Sequence, residues 1–279
     1  MLKQRLIFTL LYSHGYFNLS RNFNLQKVGD LDWVNENYDF ESIAKSIDEL
    51  VILNVERRNK DIIQFVDSIK LLTKNYFMPI AAGGGISNLD DVYKIFDAGA
   101  EKVVINTCLF EKPKLVESIS KRFGEQSIIA SIDFLREAHD TYYSDIISND
   151  SYKNINLPNI VIMTGNGKNK LNLNHKETID YTNDLGIGEI YLTSIDCSGL
   201  ARGYDLKVLK YFSDNSRLPI IASGGAGNAN HFLDALTQSN VSAVSTSNLF
   251  NFMSDGLKEA RISLINNDIN LSKWLNFVL

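Results

Sequence analysis

Eight apolar runs of strand length, stretches of helical period between them and an internal repeat of 140 residues predict an α/β fold: a single (βα)8 TIM barrel over residues 1–279, built from two similar half-barrels. A parallel sheet covered on both faces needs nearly continuous apolar strands. In order, the runs are "RLIFTLL" (5–11), "ELVILNV" (49–55), "MPIAAG" (78–83) and "KVVINT" (102–107). The second half supplies "SIIASID" (127–133), "EIYLTSI" (189–195), "LPIIASG" (218–224) and "VSAVSTS" (241–247). Between the third and fourth runs, "NLDDVYKIFDAGA" has helical spacing, with Asn88 as cap and Gly99 as terminator.

Sliding the chain by 140 residues places Pro79 on Pro219, Ala82 on Ala222, Gly84 on Gly224, Gly85 on Gly225, Asn88 on Asn228 and Glu49 on Glu189. One offset thus aligns three consecutive strands, so each half should carry the same kind of site at the carboxyl ends of its strands. Residues 134–171 break the rhythm. They are rich in Asn and Asp and hold "GNGK" between two β-prone runs, which predicts a hairpin excursion after the fifth strand. "TGNGKNK" fails as a phosphate loop, because that pattern needs four residues between the glycines and a Ser or Thr after the Lys.

With 44% hydrophobic residues, the 279-residue chain can bury a large core as one domain. A net charge of -5 argues against nucleic acid as a partner. The two cysteines, Cys108 and Cys197, lack metal-ligand spacing and read as reduced thiols, so neither a metal nor another cofactor is expected. No apolar stretch reaches the roughly 18 residues of a membrane span, and polar residues follow Tyr12 too soon for a signal peptide. The expectation is a soluble, cytoplasmic protein with no membrane partner.

"AAGGGIS" (81–87) and "ASGGAGN" (222–228) each follow a strand and precede a helix. Glycines there let backbone N–H groups approach a phosphate, and the helix start adds a favourable dipole. Barrel turns need glycine in any case, but the pairing by repeat points to a ligand with two phosphates. Asn106 with Thr107, and Ser247 with Asn248, end the next strand of each half and offer further donors. Arg5, Glu49, Lys102 and Glu189 each begin a strand, so their side chains can meet at the bottom opening. Two cations against two anions there make either a plug or a closure able to open. At the opposite mouth, carboxylates on opposing strands could share acid and base work, yet only Asp133 is present and its counterpart is Leu11. Tyr12 and Phe17 are candidates to cover an apolar pocket beside Leu11.

"LTSID" (192–196) with "GYD" (203–205), "IASGGAG" (221–227), "GGGI" (83–86) and "INT" (105–107), in this order, resemble the cyclase subunit of imidazole glycerol phosphate synthase along nearly the full length. The resemblance implies a barrel that receives ammonia from a glutaminase at its bottom (N-terminal) face and uses it at the top on a doubly phosphorylated small molecule. Carried over, Arg5, Glu49, Lys102 and Glu189 match the family's ammonia gate. Gly85, Asn106 and Thr107 match one phosphate site, and Gly199, Gly225 and Asn248 partly match the other, with Ser198 where the family has Asp and Asn248 where it has Ser. Leu11 replaces the first catalytic Asp, Leu19 the active-site Lys and Asn54 another Asp, which leaves Asp133 as the remaining catalytic position. This pattern looks like the cyclase-like paralogues of surface-polysaccharide clusters, which act beside a glutaminase and a sugar amidotransferase in forming acetamidino groups on nucleotide-linked sugars. The alternative is an active cyclase of histidine biosynthesis.

Overall fold

The computed structural model describes residues 3–38, 40–58, 60, 62–75, 78–137 and 159–272. Eight parallel strands close on themselves. They are β1 (Arg5–Ser13), β4 (Glu49–Asn54), β5 (Ile80–Gly83), β6 (Lys102–Ile105), β7 (Ile128–Arg136), β10 (Glu189–Ser194), β11 (Ile220–Ser223) and β12 (Ala243–Thr246), in that order around the barrel, with β12 pairing back to β1. Helices alternate with them on the outside: α1 (Leu31–Asn37) and α2 (Phe40–Ser46), α3 (Ile62–Asn75), α4 (Leu89–Asp97), α5 (Thr107–Glu111) and α6 (Pro113–Phe123), α7 (His175–Asp184), α8 (Leu206–Asn215), α9 (Ala229–Gln238) and α10 (Gly256–Asn266).

Several strands are shorter than their apolar runs. Pro79 and Pro219 cannot donate to a ladder, and β5 and β11 begin just after them, at Ile80 and Ile220. The half-barrel repeat is visible in the caps. Asn88 and Asn228 adopt the same extended backbone, and each side chain accepts the N–H three residues on, from Asp91 at 3.0 Å and from His231 at 3.1 Å. Gly84 and Gly224 show why the loops need glycine. Both have positive φ, and a Cβ would lie 2.1 Å from the Asn54 carbonyl oxygen in one half and 2.5 Å from that of Ser194 in the other.

Two features add to the sequence expectation. β2 (Tyr16–Arg21) and β3 (Asn24–Gly29) form an antiparallel hairpin on β1, with Asn22 and Phe23 both left-handed at its tip. Of the excursion expected over 134–171, residues 138–158 lie outside the described residues. On either side of them, β7 pairs antiparallel with β8 (Ile160–Thr164), and residues 165–168 turn the chain into the short β9 (Asn169–Lys170).

Two buried ion pairs fix the barrel's ends. Arg261 on α10, fully buried, grips Asp48 with both terminal nitrogens at 3.0 Å, and Asp48 also accepts the Leu6 N–H at 2.8 Å. This ties together the residues next to Arg5 and Glu49. At the other end, Arg136 binds both oxygens of Asp205 at 2.7 Å, and Asp196 accepts the Arg136 N–H at 2.7 Å. The aspartates of "LTSID" and "GYD" are thus structural ties. Among the described residues no helix is long and apolar enough to cross a membrane.

Candidate functional site

Strand side chains alternate between the two faces, so every second residue of a barrel strand points to the axis. On β1 the buried residues Leu6, Phe8, Leu10 and Tyr12 pack outward against the helices, while Ile7 joins Val51, Ala81, Val104, Ile129, Tyr191, Ile221 and Ala243 inside. The same parity places Arg5 below Ile7, and Thr9 and Leu11 above it. From Arg5 to Leu11 is six residues, about 20 Å along the strand.

At the bottom, Arg5, Glu49, Lys102 and Glu189 form a closed cycle. Arg5 contacts Glu49 at 3.0 Å and Glu189 through both terminal nitrogens, while Lys102 lies 3.1 Å from Glu49 and 2.8 Å from Glu189. Each carboxylate therefore faces two cations, and each cation two carboxylates. Burial pushes the Glu49 carboxyl above its ordinary range against the pull of Lys102 and Arg5. At Glu189 burial acts the same way, but Arg5 and Lys102 together outweigh it and hold this carboxyl below its ordinary range. One glutamate is the weakly held charge and the other the strongly held one.

At the top, a cavity of about 290 Å³ opens among the carboxyl ends of the strands. Gly85, Asn106, Thr107, Leu11 and Asp133 all line it, with Leu53, Phe23, Leu25 and Ile86 giving it a broad apolar wall. Asp133 is the one carboxylate among the described lining residues. Burial pushes its carboxyl up to about 7, against a hydrogen bond from Ser131. Asn106 donates its amide to Asp133 at 3.2 Å and to the Ser131 carbonyl at 2.9 Å. A carboxyl poised near neutrality can exchange protons, but Leu11 across the cavity is an alkyl group and offers no second carboxyl, and the other charged groups among the described lining residues are the cations Arg57 and Lys60.

A second cavity of about 210 Å³ is lined by Gly199, Gly225, Asn248, Leu19 and Arg21, and shares Ser20, Gly224 and Ser247 with the first. The two residue sets named from the sequence thus lie in adjoining hollows on one face. Some expected donors are already engaged. The Ser87 N–H goes to Asp91 at 2.8 Å and the Asp91 N–H to Asn88, so an anion reading at α4 rests on the glycine backbone ahead of the helix.

Two sequence expectations change. Asn106 and Asn248 lie one and two residues past the strand ends, because β6 stops at Ile105 and β12 at Thr246; their side chains serve Asp133 and the Asn251 N–H, respectively. Tyr12 and Phe17 do not cover the cavity: both are 1% exposed and lie edge to face in the outer core, where alternation from Leu11 sends Tyr12. Phe23 and Leu25 hold the place expected for them. Lys60 was missed. Its ammonium donates to the Asn54 carbonyl at 3.2 Å beside Gly85, with burial lowering its pKa, and its position in the loop after β4 was the available signal. Thr9, Tyr191 and Ser245 were also missed, though counting by twos from Arg5 and Glu189 reaches the first two.

These features define a (βα)8 barrel of the doubled half-barrel kind, with a cavity at the carboxyl ends of the strands and an ionic ring at the other end. Residues 34–253 match the histidine biosynthesis protein family, and the chain belongs to that family. It is 38% identical over 275 residues, 98% of this chain and 95% of the relative, to a protein of Parasynechococcus marenigrum (strain WH8102) with the provisional name imidazole glycerol phosphate synthase subunit hisF2. It is also 32% identical over 274 residues to imidazole glycerol phosphate synthase subunit HisF of Methanococcus maripaludis, covering 96% of this chain and 98% of that one. With the HisF subunit of Hydrogenobaculum sp. (strain Y04AAS1), identity is 33% over 228 residues, covering 80% and 82%.

Proposed function

We propose that this chain is a HisF-like barrel subunit that takes ammonia from a glutaminase docked on its bottom face and delivers it to the upper cavity for amidation. Its own imidazole-forming chemistry has been lost. One contrast carries the reading: the four-charge ring at the inlet is complete, whereas Asp133 is the one carboxylate among the described residues lining the upper cavity. Loss of a general acid or base costs a factor of about 100 to 10,000, so Asp133 opposite Leu11 supports little two-carboxylate catalysis. The acceptor that the sequence resemblance suggests is a nucleotide-linked sugar of surface polysaccharide whose acetamido group becomes acetamidino, with a sugar amidotransferase providing the activation. Gly85, Asn106, Thr107, Gly199, Gly225 and Asn248 would hold phosphate groups of a small-molecule ligand. The setting is the cytoplasm.

The glutaminase partnership is tested by co-purification and by glutamine hydrolysis in the presence of this subunit, where stimulation is expected. The loss of cyclase chemistry is tested in a histidine auxotroph lacking its cyclase subunit. No growth is expected, and growth would return the protein to histidine biosynthesis as an active cyclase.

A further inference from the structure

Tyr191 stands on β10 two residues above Glu189 of the ionic ring and two below Thr193, which lines the upper cavity. Parity points its side chain at the barrel axis, where it is 2% exposed among Ile7, Val51, Val104 and Ile221. The phenol crosses the interior. Its hydroxyl lies 2.8 Å from Thr9 Oγ1 on β1 and 2.8 Å from Ser245 Oγ on β12, strands separated from β10 by one or two others in the eight-strand circle. Thr9 and Ser245 are 2.7 Å apart. Three hydroxyls in mutual contact can each donate one proton and accept one, with the Ser223 hydroxyl as a further partner beside the phenol, so the cluster satisfies itself without water. Burial drives the phenol's pKa up, so it stays a neutral donor.

We propose that Tyr191 is the latch on the barrel's axial passage: with its hydroxyl held by Thr9 and Ser245, the ring separates the ionic ring from the upper cavity, and release of that hydroxyl opens the way for a small neutral molecule. The identity of that molecule as ammonia rests on the function proposed above, whereas the partition does not. Ammonia suits such a latch. Its lone pair accepts a hydroxyl proton and its N–H groups donate, so it can exchange places with one partner of the cycle without leaving a buried polar group unpaired. A purely apolar gate would offer no such exchange.

The test places a thiol on the ionic-ring side of Tyr191. Ile129 pairs in register with Glu189 and belongs to the inner cluster, so Ile129→Cys in the full chain reports entry of methyl methanethiosulfonate, a small neutral thiol reagent. Labelling is followed by peptide mass, with the buried Cys108 and Cys197 as internal controls. Adding Tyr191→Phe, which keeps the ring and removes the latch, is expected to speed labelling of the Ile129→Cys thiol about tenfold, and Tyr191→Leu further. Thr9→Val, which removes one partner and leaves Tyr191, should fall between parent and Tyr191→Phe. Rates unchanged within about twofold in both Tyr191→Phe and Thr9→Val would overturn the latch. An unchanged rate in Tyr191→Leu, with circular dichroism showing a folded barrel, would overturn the partition; should that variant not fold, the other two decide. All these rates are measured on the barrel alone. Failure of the conduit reading is seen separately, as glutamine hydrolysis by the partner that this subunit does not stimulate.

Discussion

The two mouths of the barrel rest on the same eight strands and neutralise charge in different ways. At the bottom, every charged group of the four faces two of opposite sign, and Coulomb attraction at short range outweighs burial at Glu189 and opposes it at Glu49. At the top, Asp133 takes its hydrogen bonds from the neutral Asn106 and Ser131, and burial raises its pKa to about 7. At Glu189 the paired cations hold the carboxyl below its ordinary range, whereas at Asp133, bonded to neutral groups, the carboxyl becomes titratable at neutrality. The difference teaches that what a barrel end can do depends less on how many charged residues it holds than on whether each has a counter-charge.

The largest expected effect on function breaks the lower end. Glu49 is 3% exposed and faces both Arg5 and Lys102, so Glu49→Ala leaves two partly buried cations with one carboxylate between them. A loss of about 3 kcal/mol in unfolding free energy is expected by urea titration, together with loss of glutaminase stimulation. A change below about 1 kcal/mol would mean that the cycle is solvated and not a closure.

The second effect is read as a function of pH. The Asp133 carboxyl is raised from 3.8 to about 7 by burial, so folding binds a proton between these values. Its contribution is fully present below pH 4 and is lost as the pH rises through 7, up to about 4 kcal/mol in all. Asp133→Asn removes that loss. The variant should gain stability relative to the parent at pH 8 and converge on it at pH 4, as measured by denaturant midpoints. Parallel curves would show that Asp133 is already ionised in the folded protein.

A third change makes the two ends more alike. Leu11→Asp puts a second carboxyl into the upper cavity, where two like charges share a buried site and one of them must stay protonated. A cost of about 2 kcal/mol at pH 7, shrinking toward pH 4, is the expected signature. Combined with Leu19→Lys, it also tests whether the missing groups were the main chemical defect, through growth of the histidine auxotroph.

Much of this contrast is legible in the sequence. Arg5, Glu49, Lys102 and Glu189 stand at strand starts, and the period of two carries all four to the axis. The eight apolar runs mark the barrel strands, and the 140-residue offset pairs Gly84 with Gly224, which the structure sets against the equivalent carbonyls of Asn54 and Ser194. Legibility failed where contacts join distant strands. Nothing local marks Thr9, Tyr191 and Ser245 as a hydroxyl cycle, because their meeting depends on barrel closure, and the hairpin of β2 and β3 hides in a stretch whose polar residues read as loop. Tyr12 was misplaced for a simpler reason: it neighbours Leu11, and neighbours on a strand face opposite ways.

The smallest effect sharpens the upper end alone. Leu19 is half-buried at the wall of the second cavity, near Arg21, Gly199 and Asn248, where a cation would add to whatever hold the glycine backbone has on an anion. Leu19→Lys keeps a long aliphatic stem against the core and presents its ammonium to the hollow, so stability should change by less than about 1 kcal/mol. Inorganic phosphate titrated by calorimetry should bind the variant about threefold more tightly at low salt, with the gain fading as ionic strength rises. A salt-independent result would mean that the ammonium turns away into solvent. No binding by parent or variant at any salt concentration would mean that the upper loops hold no anion there, and that the twinned glycines serve the turns alone.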